Sequence, residues 1–576
     1  MTVTMAGVRA ARVCVLLTVL VTVTSGSLDD QAHRGRARSD ARDYGGAPEA
    51  EENPTFWNNM AGRSIQDALR IQRNHNMNVA KNVVLFLGDG MGAVSVTSAR
   101  ILKGQKAGNP GEETMLAMDT LPHMAHSKTY NIDAQTPDSG ATGTAFLCGV
   151  KARFATIGVD GRALLEDCNS TKGREVQSVL AWAEMADKST GIVTTTQVTH
   201  ATPAAAYAHT AYREWEVDSV LSDAAVQDGC KDISAQLVDD NPGIEVVLGG
   251  GRVMFHNGTD PEYPDDPGSN GVRADGRNLM EEWLDGKTSA RYVWNGTDFR
   301  TVNPLTTDYL LGLFEPSHMK YMTDREDSPT EEPTLPEMTR MAIQILQKNE
   351  NGFFLLVEGG KIDHGHHEGK AVKAINEAVA FDDAIQVAKD LLNLDESLIV
   401  VTADHAHTMQ SGGLRRGERQ SHIWLGISPT RYFSLLGKLS ADLWGLQLVP
   451  DGKPYTPLLY GTSPGYNMSG GSRENITNVD TENPDYLQQS AVPMLVASHG
   501  AEDVAIFAGG PMAHLFHGVH EQNYIAHVMK YAACLGEYAE DCDREERVAS
   551  GSARGSFSTA AVFFSISLTV QLAWWL

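Results

Sequence analysis

Short, continuous apolar runs recur along the chain, and each closes on glycines or on a polar residue. Val83-Val84-Leu85-Phe86-Leu87 runs into Gly88-Asp89-Gly90-Met91-Gly92, and Ile192-Val193 into Thr194-Thr195-Thr196. Val246-Val247-Leu248 meets three glycines, Phe353–Val357 meets Glu358, and Leu398–Thr402 meets Ala403-Asp404-His405. Stretches with helical spacing separate these runs, at 175–186, 338–349 and 370–392. Runs that are continuous, not alternating, are buried on both faces, so the pattern predicts a large, mostly parallel sheet covered by helices on each side. That is a three-layer α/β/α sandwich. Residues 54–75 carry helical spacing of their own. Residues 408–490 break the rhythm with Gly, Ser, Pro and Asn and read as an inserted, crown-like lobe before a final strand at 504–508. No internal repeat is evident.

In a parallel sheet, ligands bind beyond the carboxyl ends of the strands. Asp89, Glu358, Asp363, Asp404 and His405 all fall at such ends. The segment from Glu358 to His367 crowds two carboxylates and three histidines beside a buried strand, which is costly unless a cation neutralises it. The bland alternative is a solvated acidic loop. Asp363 and His367 are four apart and share a helix face. With His499 they suit Zn²⁺, Asp404 and His405 suit a second divalent ion bridged by Asp89, and Glu358 with Asp89 and a hydroxyl suits Mg²⁺. Ser139 precedes the small residues Gly140–Ala145 and sits where a helix N-terminus would favour a phosphate. Alone it reads as an N-cap serine. Arg213 offers a guanidinium fork for phosphate oxygens, and Thr202, just after His200, offers a hydroxyl to a metal. There is no G-x-S-x-G elbow, so a hydrolase triad gains no support.

Composition narrows the setting. The 576 residues carry a formal net charge of −26 with no basic stripe, which argues against nucleic-acid binding. Arg9 and Arg12 precede the apolar run 13–23 and the small residues Ser25-Gly26-Ser27, a signal-peptide pattern over 1–26. Residues 27–52 read as a flexible arm. After the small residues around Ser550, the uncharged stretch 555–576 resembles a GPI-attachment signal, with 546–576 removed and Ser550 as the approximate attachment point. The catalytic domain then comprises 53–407 and 491–545. Oxidising surroundings imply disulfides. Cys534 with Cys542 and Cys168 with Cys230 are the natural pairs, leaving Cys148 free, although sequence alone does not fix connectivity. Sequons at Asn169, Asn257, Asn295, Asn467 and Asn475 suggest glycan-bearing surface loops.

Taken in order, Gly88-Asp89-Gly90-Met91-Gly92, Pro137-Asp138-Ser139, His200–Ala204, Val357–His367, Thr402–His405 and His499–Asp503 resemble the alkaline phosphatases, specifically the animal GPI-anchored form, over about residues 53–535. The resemblance implies an extracellular, membrane-attached homodimer that hydrolyses a broad range of phosphate monoesters at alkaline pH through a phosphoserine at Ser139. It implies two zinc ions, one held by Asp363, His367 and His499 and one by Asp89, Asp404 and His405. It implies one magnesium on Asp89, Thr202 and Glu358, with Arg213 gripping the phosphoryl group and His200 and His364 lining the metals. It also implies a calcium site on Glu262, the Phe314 carbonyl, Glu315 and Glu332. Two departures are the order of small residues after Ser139 and Lys361 in place of a more usual arginine. The competing readings are a phosphodiesterase of the same superfamily and a catalytically inactive surface glycoprotein.

Overall fold

The computed structural model describes residues 53–259, 267–328, 330–412, 434–438 and 451–542. Its centre is a ten-stranded sheet. In chain order the strands are β1 (Asn82–Gly88), β2 (His123–Lys128), β3 (Ser189–Gln197), β4 (Val246–Gly250), β5 (Ala290–Val293), β6 (Tyr309–Leu313), β7 (Phe353–Gly359), β8 (Ser397–Ala403), β9 (Val504–Gly509) and β10 (Val519–Glu521). Across the sheet they lie in the order β10-β2-β9-β8-β1-β7-β3-β4-β6-β5. The apolar runs became the middle of this sheet, where β1, β3, β4, β7 and β8 are buried at every residue. Side chains alternate across a strand, and here they alternate between two cores. Val84, Phe86, Leu355, Val357, Ile399 and Val401 join one cluster, while Val83, Leu85, Leu87, Leu356 and Val400 join the other.

Helices complete the layers. On the first face lie α2 (Ala93–Lys106), α4 (Leu335–Leu346) and α6 (Ala371–Leu391), and on the second lies α7 (Tyr524–Ala533). Thr334 and Glu337 form a reciprocal capping box that starts α4. The expected helix at 175–186 is shorter, starting at Val179 because Ser178 caps it through its side chain. The N-terminal helix α1 (Pro54–Arg73) begins on the Asn53 cap and has no buried residue. Among the described residues no helix is long and apolar enough to cross a membrane.

Every neighbouring pair in the sheet is parallel except those made by β9, which runs against both β8 and β2. That one reversal matters. It brings the start of β9, and the residues just before it, to the carboxyl ends of β1, β7 and β8. A two-residue antiparallel ladder then pairs Ala406 with Gly500 and His407 with His499. Strands at Met409–Ser411, Leu458–Ser463 and Ser490–Pro493 form a sheet separate from the large one, within and at the edges of the expected lobe.

Candidate metal centre

Each ligand candidate sits where a strand of the central sheet gives out. Asp89 follows β1, Glu358 ends β7, and Asp404 and His405 follow β8. Asp363 and His367 share a face of α5 (Lys361–His367), the short helix after β7. His499 lies just before the reversed β9, in the short ladder with His407. All are buried or half-buried, and Asp89, Glu358, Asp404 and His405 are fully enclosed.

The first donor set is Asp363, His367 and His499, joined by His407. His367 Nε2 is 3.3 Å from Asp363 Oδ2, and His499 Nε2 is 3.6 Å from Asp363 Oδ1. Each ring is oriented from behind, His367 Nδ1 at 2.7 Å from the Ala497 carbonyl and His499 Nδ1 at 2.7 Å from the Pro137 carbonyl. A carbonyl only accepts, so both Nδ1 atoms carry the proton and both Nε2 atoms present lone pairs. Those two nitrogens are 3.0 Å apart. Two lone pairs facing each other at that distance need a cation or proton between them, and this is the hydrogen-bonding pattern that orients metal-binding histidines. The donor set fits a zinc ion.

Asp89, Asp404 and His405 make a second set. His405 Nε2 lies 3.0 Å from Asp404 Oδ2 and 3.6 Å from Asp89 Oδ1. Asp404 Oδ1 accepts from Gly90 N–H at 3.0 Å and from His405 N–H at 2.8 Å. Burial would push Asp404 up, but His405 beside it holds its carboxyl at about 2. Asp89 has no such help. Both of its oxygens are buried without a hydrogen bond, and burial, followed by the carboxylates of Asp404, Asp363 and Glu358, pushes it well above the usual range. A third set joins Asp89 to Glu358 and His200. Glu358 Oε2 accepts from Thr194 and Thr196 while Oε1 has no hydrogen-bond partner. Burial raises Glu358 to about 7. Thr202 Oγ1 stands beside this carboxylate without a hydrogen bond of normal geometry. Buried carboxylate oxygens left without donors are what a divalent cation satisfies, and the oxygens of Asp89, Glu358 and Thr202 suit a hard ion.

Ser139 opens α3 (Ser139–Gly143), capped by Asp138 Oδ2 at 2.9 Å from Gly140 N–H. Its Oγ is 3.4 Å from His405 Nε2, on the rim of the second donor set. The altered order of small residues leaves the helix intact because all of them still fit. A Cβ on Gly143 would lie 2.8 Å from Ala205 Cβ. Arg213 reaches the same place from a loop. Its Nη2 is 3.0 Å from His200 Nε2, and its Nη1 is 3.5 Å from Asp138 Oδ2. Ser139, Arg213, Asp363, His364, His367, His499 and His200 all line one cavity of about 480 Å³. A nucleophile, a cation for phosphate oxygens and the first metal set therefore share one opening.

The zinc and magnesium ligand candidates expected from the sequence lie together in the structure, and two nearby residues were missed. His407 Nε2 is hydrogen-bonded to Asp363 Oδ1. It lies two residues after His405, and alternate positions of an extended segment share a face, so the signal was present. His318 packs edge-to-face on His364 with ring centres 4.4 Å apart, and nothing in its surroundings in sequence marks it. His200 does more than line the site, since its ring joins Asp89 and Glu358. His366 is a buried structural link, hydrogen-bonded to Ser95 and Tyr460.

Away from the centre, Phe314, Glu315 and Glu332 line a separate cavity of about 490 Å³. Burial there raises Glu332 to about 8, and its Oε2 has no hydrogen bond. Cys168 pairs with Cys230, Cys148 is free and buried, and Cys534 is disulfide-bonded. Asn169, Asn257, Asn467 and Asn475 are exposed, whereas Asn295 is half-buried and caps a helix with its side chain. Glu262, Ser550, the expected leader and arm, the tail and the Cys542 side chain lie outside the described residues.

Comparison with known proteins agrees with this geometry. A family model described as alkaline phosphatase matches residues 80–535. The tissue-nonspecific alkaline phosphatase of Felis catus is 50% identical over 526 residues, covering 90% of this chain and 95% of the relative. That of Homo sapiens is 48% identical over the same length, also covering 90% and 95%. The alkaline phosphatase of Gadus morhua is 51% identical over 496 residues, covering 85% and 99%. Among solved structures, the alkaline phosphatase of Thermus thermophilus superposes with a TM-score of 0.54 at 22% identity, covering 80% of this chain and 92% of its own. At that identity it speaks for the fold alone.

Proposed function

The chain belongs to the alkaline phosphatase family, and from that premise we infer that its cavity performs the family's metal-dependent hydrolysis of phosphate monoesters to an alcohol and inorganic phosphate. The observation that carries the residue assignments is that Ser139, Arg213 and the first donor set line one opening, with Ser139 Oγ 3.4 Å from His405 of the second set, which shares Asp89 with the third. Asp363, His367 and His499 hold one zinc, Asp89, Asp404 and His405 a second, and Asp89, Thr202 and Glu358 a magnesium. Bound there, the cations supply positive charge for the attacking and leaving oxygens and lower the pKa of hydroxyl and water.

The chain's own groups do the rest. Arg213 grips two non-bridging phosphoryl oxygens through its fork and is itself aimed by Asp138 and His200. Free N–H groups at the start of α3 face the same oxygens. Ser139 Oγ attacks phosphorus, the ester oxygen departs as the alcohol, and a phosphoserine remains. Water then displaces Ser139 and releases phosphate. The cavity grips the phosphoryl group and opens outward, which supports a broad substrate range. Because the reaction needs deprotonated oxygens, it is fastest at alkaline pH.

The finer setting is part of the same proposal. Phe314, Glu315 and Glu332, with Glu262, hold calcium. The uncharged stretch 555–576 supports GPI attachment near Ser550 on the outer face of the cell membrane. The exposed Trp57, Met60 and Ile65 of α1 support a homodimer contact there.

Ser139→Ala tests the core of the reading. Phosphomonoesterase activity falls on the order of 10³-fold or more, and labelling by radioactive phosphate at Ser139 disappears. Activity near the parent level refutes the covalent route. Chelation abolishes activity, and zinc with magnesium restores it.

A further inference from the structure

Arg213 sits in a segment that the two large cores do not hold. Ala211 and Trp215, on either side of it, belong to a small separate cluster with Cys168 and Ala225, against which Tyr212, Leu221 and Cys230 pack. Satellite clusters of this kind form under long loops, and they keep a loop in place when the main core does not reach it. Trp215 is 3% exposed, Cys168 2% and Ala211 0%, so the ring and the Cys168 half of the disulfide are buried in one cluster. The Tyr212 and Trp215 rings also meet edge-to-face, 6.3 Å apart.

The cluster exists because Cys168 is bonded to Cys230, residues separated by 62 positions. The bond ties the 160–175 stretch to the 222–232 stretch, and Ala211 and Trp215 belong to the same cluster. Hydrogen bonds add further ties, among them Tyr212 N–H to Thr210 Oγ1 at 3.2 Å and Ile233 N–H to the Trp215 carbonyl at 2.9 Å. Glu166 N–H donates to the Ala211 carbonyl at 3.1 Å, and Arg213 N–H donates to the Ala155 carbonyl at 2.8 Å. Ala155 N–H in turn donates to Asp138 Oδ1 at 2.8 Å. Asp138 is the cap that sets Ser139. One short path therefore leads from the disulfide through Trp215 to the Arg213 backbone, and from there through Ala155 to the nucleophile's helix.

We propose that the Cys168–Cys230 disulfide and Trp215 are positioning elements for Arg213, holding its guanidinium in register with Ser139. This rests on the reading of Arg213 as the phosphoryl grip. A grip on oxygens that are present in both the bound ester and the transition state acts on binding of both. Loosening it raises KM for a phosphomonoester and the inhibition constant for inorganic phosphate together, with a smaller change in kcat.

The test is paired substitution of Cys168→Ser and Cys230→Ser in the metal-loaded enzyme, assayed well below its melting temperature. KM and the phosphate inhibition constant rise together by about tenfold, kcat changes by less than about twofold, and zinc content is unchanged. The same pair is then placed in an Arg213→Ala background, where the added effect on KM vanishes because coupled residues are not additive. A folded, metal-loaded variant with unchanged KM overturns the proposal, and so does a full additive rise in the Arg213→Ala background. If the paired variant does not fold, Trp215→Leu with the disulfide intact takes its place, and unchanged KM there is equally fatal. If Arg213→Ala by itself leaves both constants unchanged, the reading of Arg213 fails, and that outcome is distinct from failure of the disulfide coupling.

Discussion

Asp363 receives a hydrogen bond from His407 on Oδ1 and faces His367 with Oδ2. One carboxylate is thus held from behind by a ring that has no other hydrogen bond, since His407 Nδ1 is buried without a partner. The role expected of such a residue is to fix the carboxylate's rotation, so His407→Ala leaves the fold intact and lowers zinc affinity by about 10–100-fold. Zinc retained after dialysis against graded chelator, with circular dichroism as the check on folding, reads this directly. Retention equal to the parent protein would show that His407 is only packing. The ligand carboxylates were legible in the sequence because each follows a run that could only be a buried strand, and a charge at such a boundary needs a reason. His407 and His318 were less legible. Their roles come from what touches them in space, and His318 meets His364 across 46 positions of chain with no shared motif.

At the scale of elements, α5 carries Asp363 and His367 and must lie hard against α6. Gly365 makes that possible, because a Cβ there would sit 2.6 Å from the backbone nitrogen of Ala374. Gly365→Ala therefore forces the two helices apart, costs about 1–3 kcal/mol of stability and loosens zinc through the two ligands that flank it. On α1 the same substitution has the opposite sign. A Cβ on Gly62 meets nothing within 4 Å, so Gly62→Ala gains helix propensity worth about 0.5–1 kcal/mol. Thermal melts for the first and amide exchange across α1 for the second separate the two cases, and a shared sign would contradict the packing. The central strands were readable as apolar runs, and their continuity as a mostly parallel sheet, but the one reversed strand was not. Continuous apolar runs favour parallel pairing for the sheet as a whole but do not single out an exception, so the reversal of β9 that brings His499 to the site could not be read. Strand β2, second from the edge and with alternating exposed and buried residues, has too little apolar continuity to stand out.

At the scale of the whole molecule, the sheet gathers Asp89, Glu358, Asp363 and Asp404 into one buried region, and that arrangement is a cost to folding unless cations balance it. The sign of the resulting pH dependence follows from Glu358, which burial raises to about 7, and from Asp89, which burial and its neighbouring carboxylates raise further from its ordinary value. An acid whose folded pKa exceeds its unfolded value binds its proton more tightly when folded. Stripped of metal, these two groups therefore contribute a loss of stability as pH rises from the ordinary carboxylate range through about 7, while buried histidines outside the donor sets, such as His318 and His366, whose pKa burial lowers, act in the opposite sense in loaded and stripped protein alike. Asp404, held at about 2, acts in the opposite sense and only at far lower pH, so it does not cancel the loss in that window. Metal-loaded protein lacks the loss, because the cation favours the ionised form of the same groups. The difference in melting temperature between loaded and stripped protein should thus widen as pH is raised from about 5 to about 8. Scanning calorimetry at a series of pH values, with and without chelator, measures it. A difference that stays constant or shrinks over that range would mean that Glu358 and Asp89 are not the groups the cations neutralise.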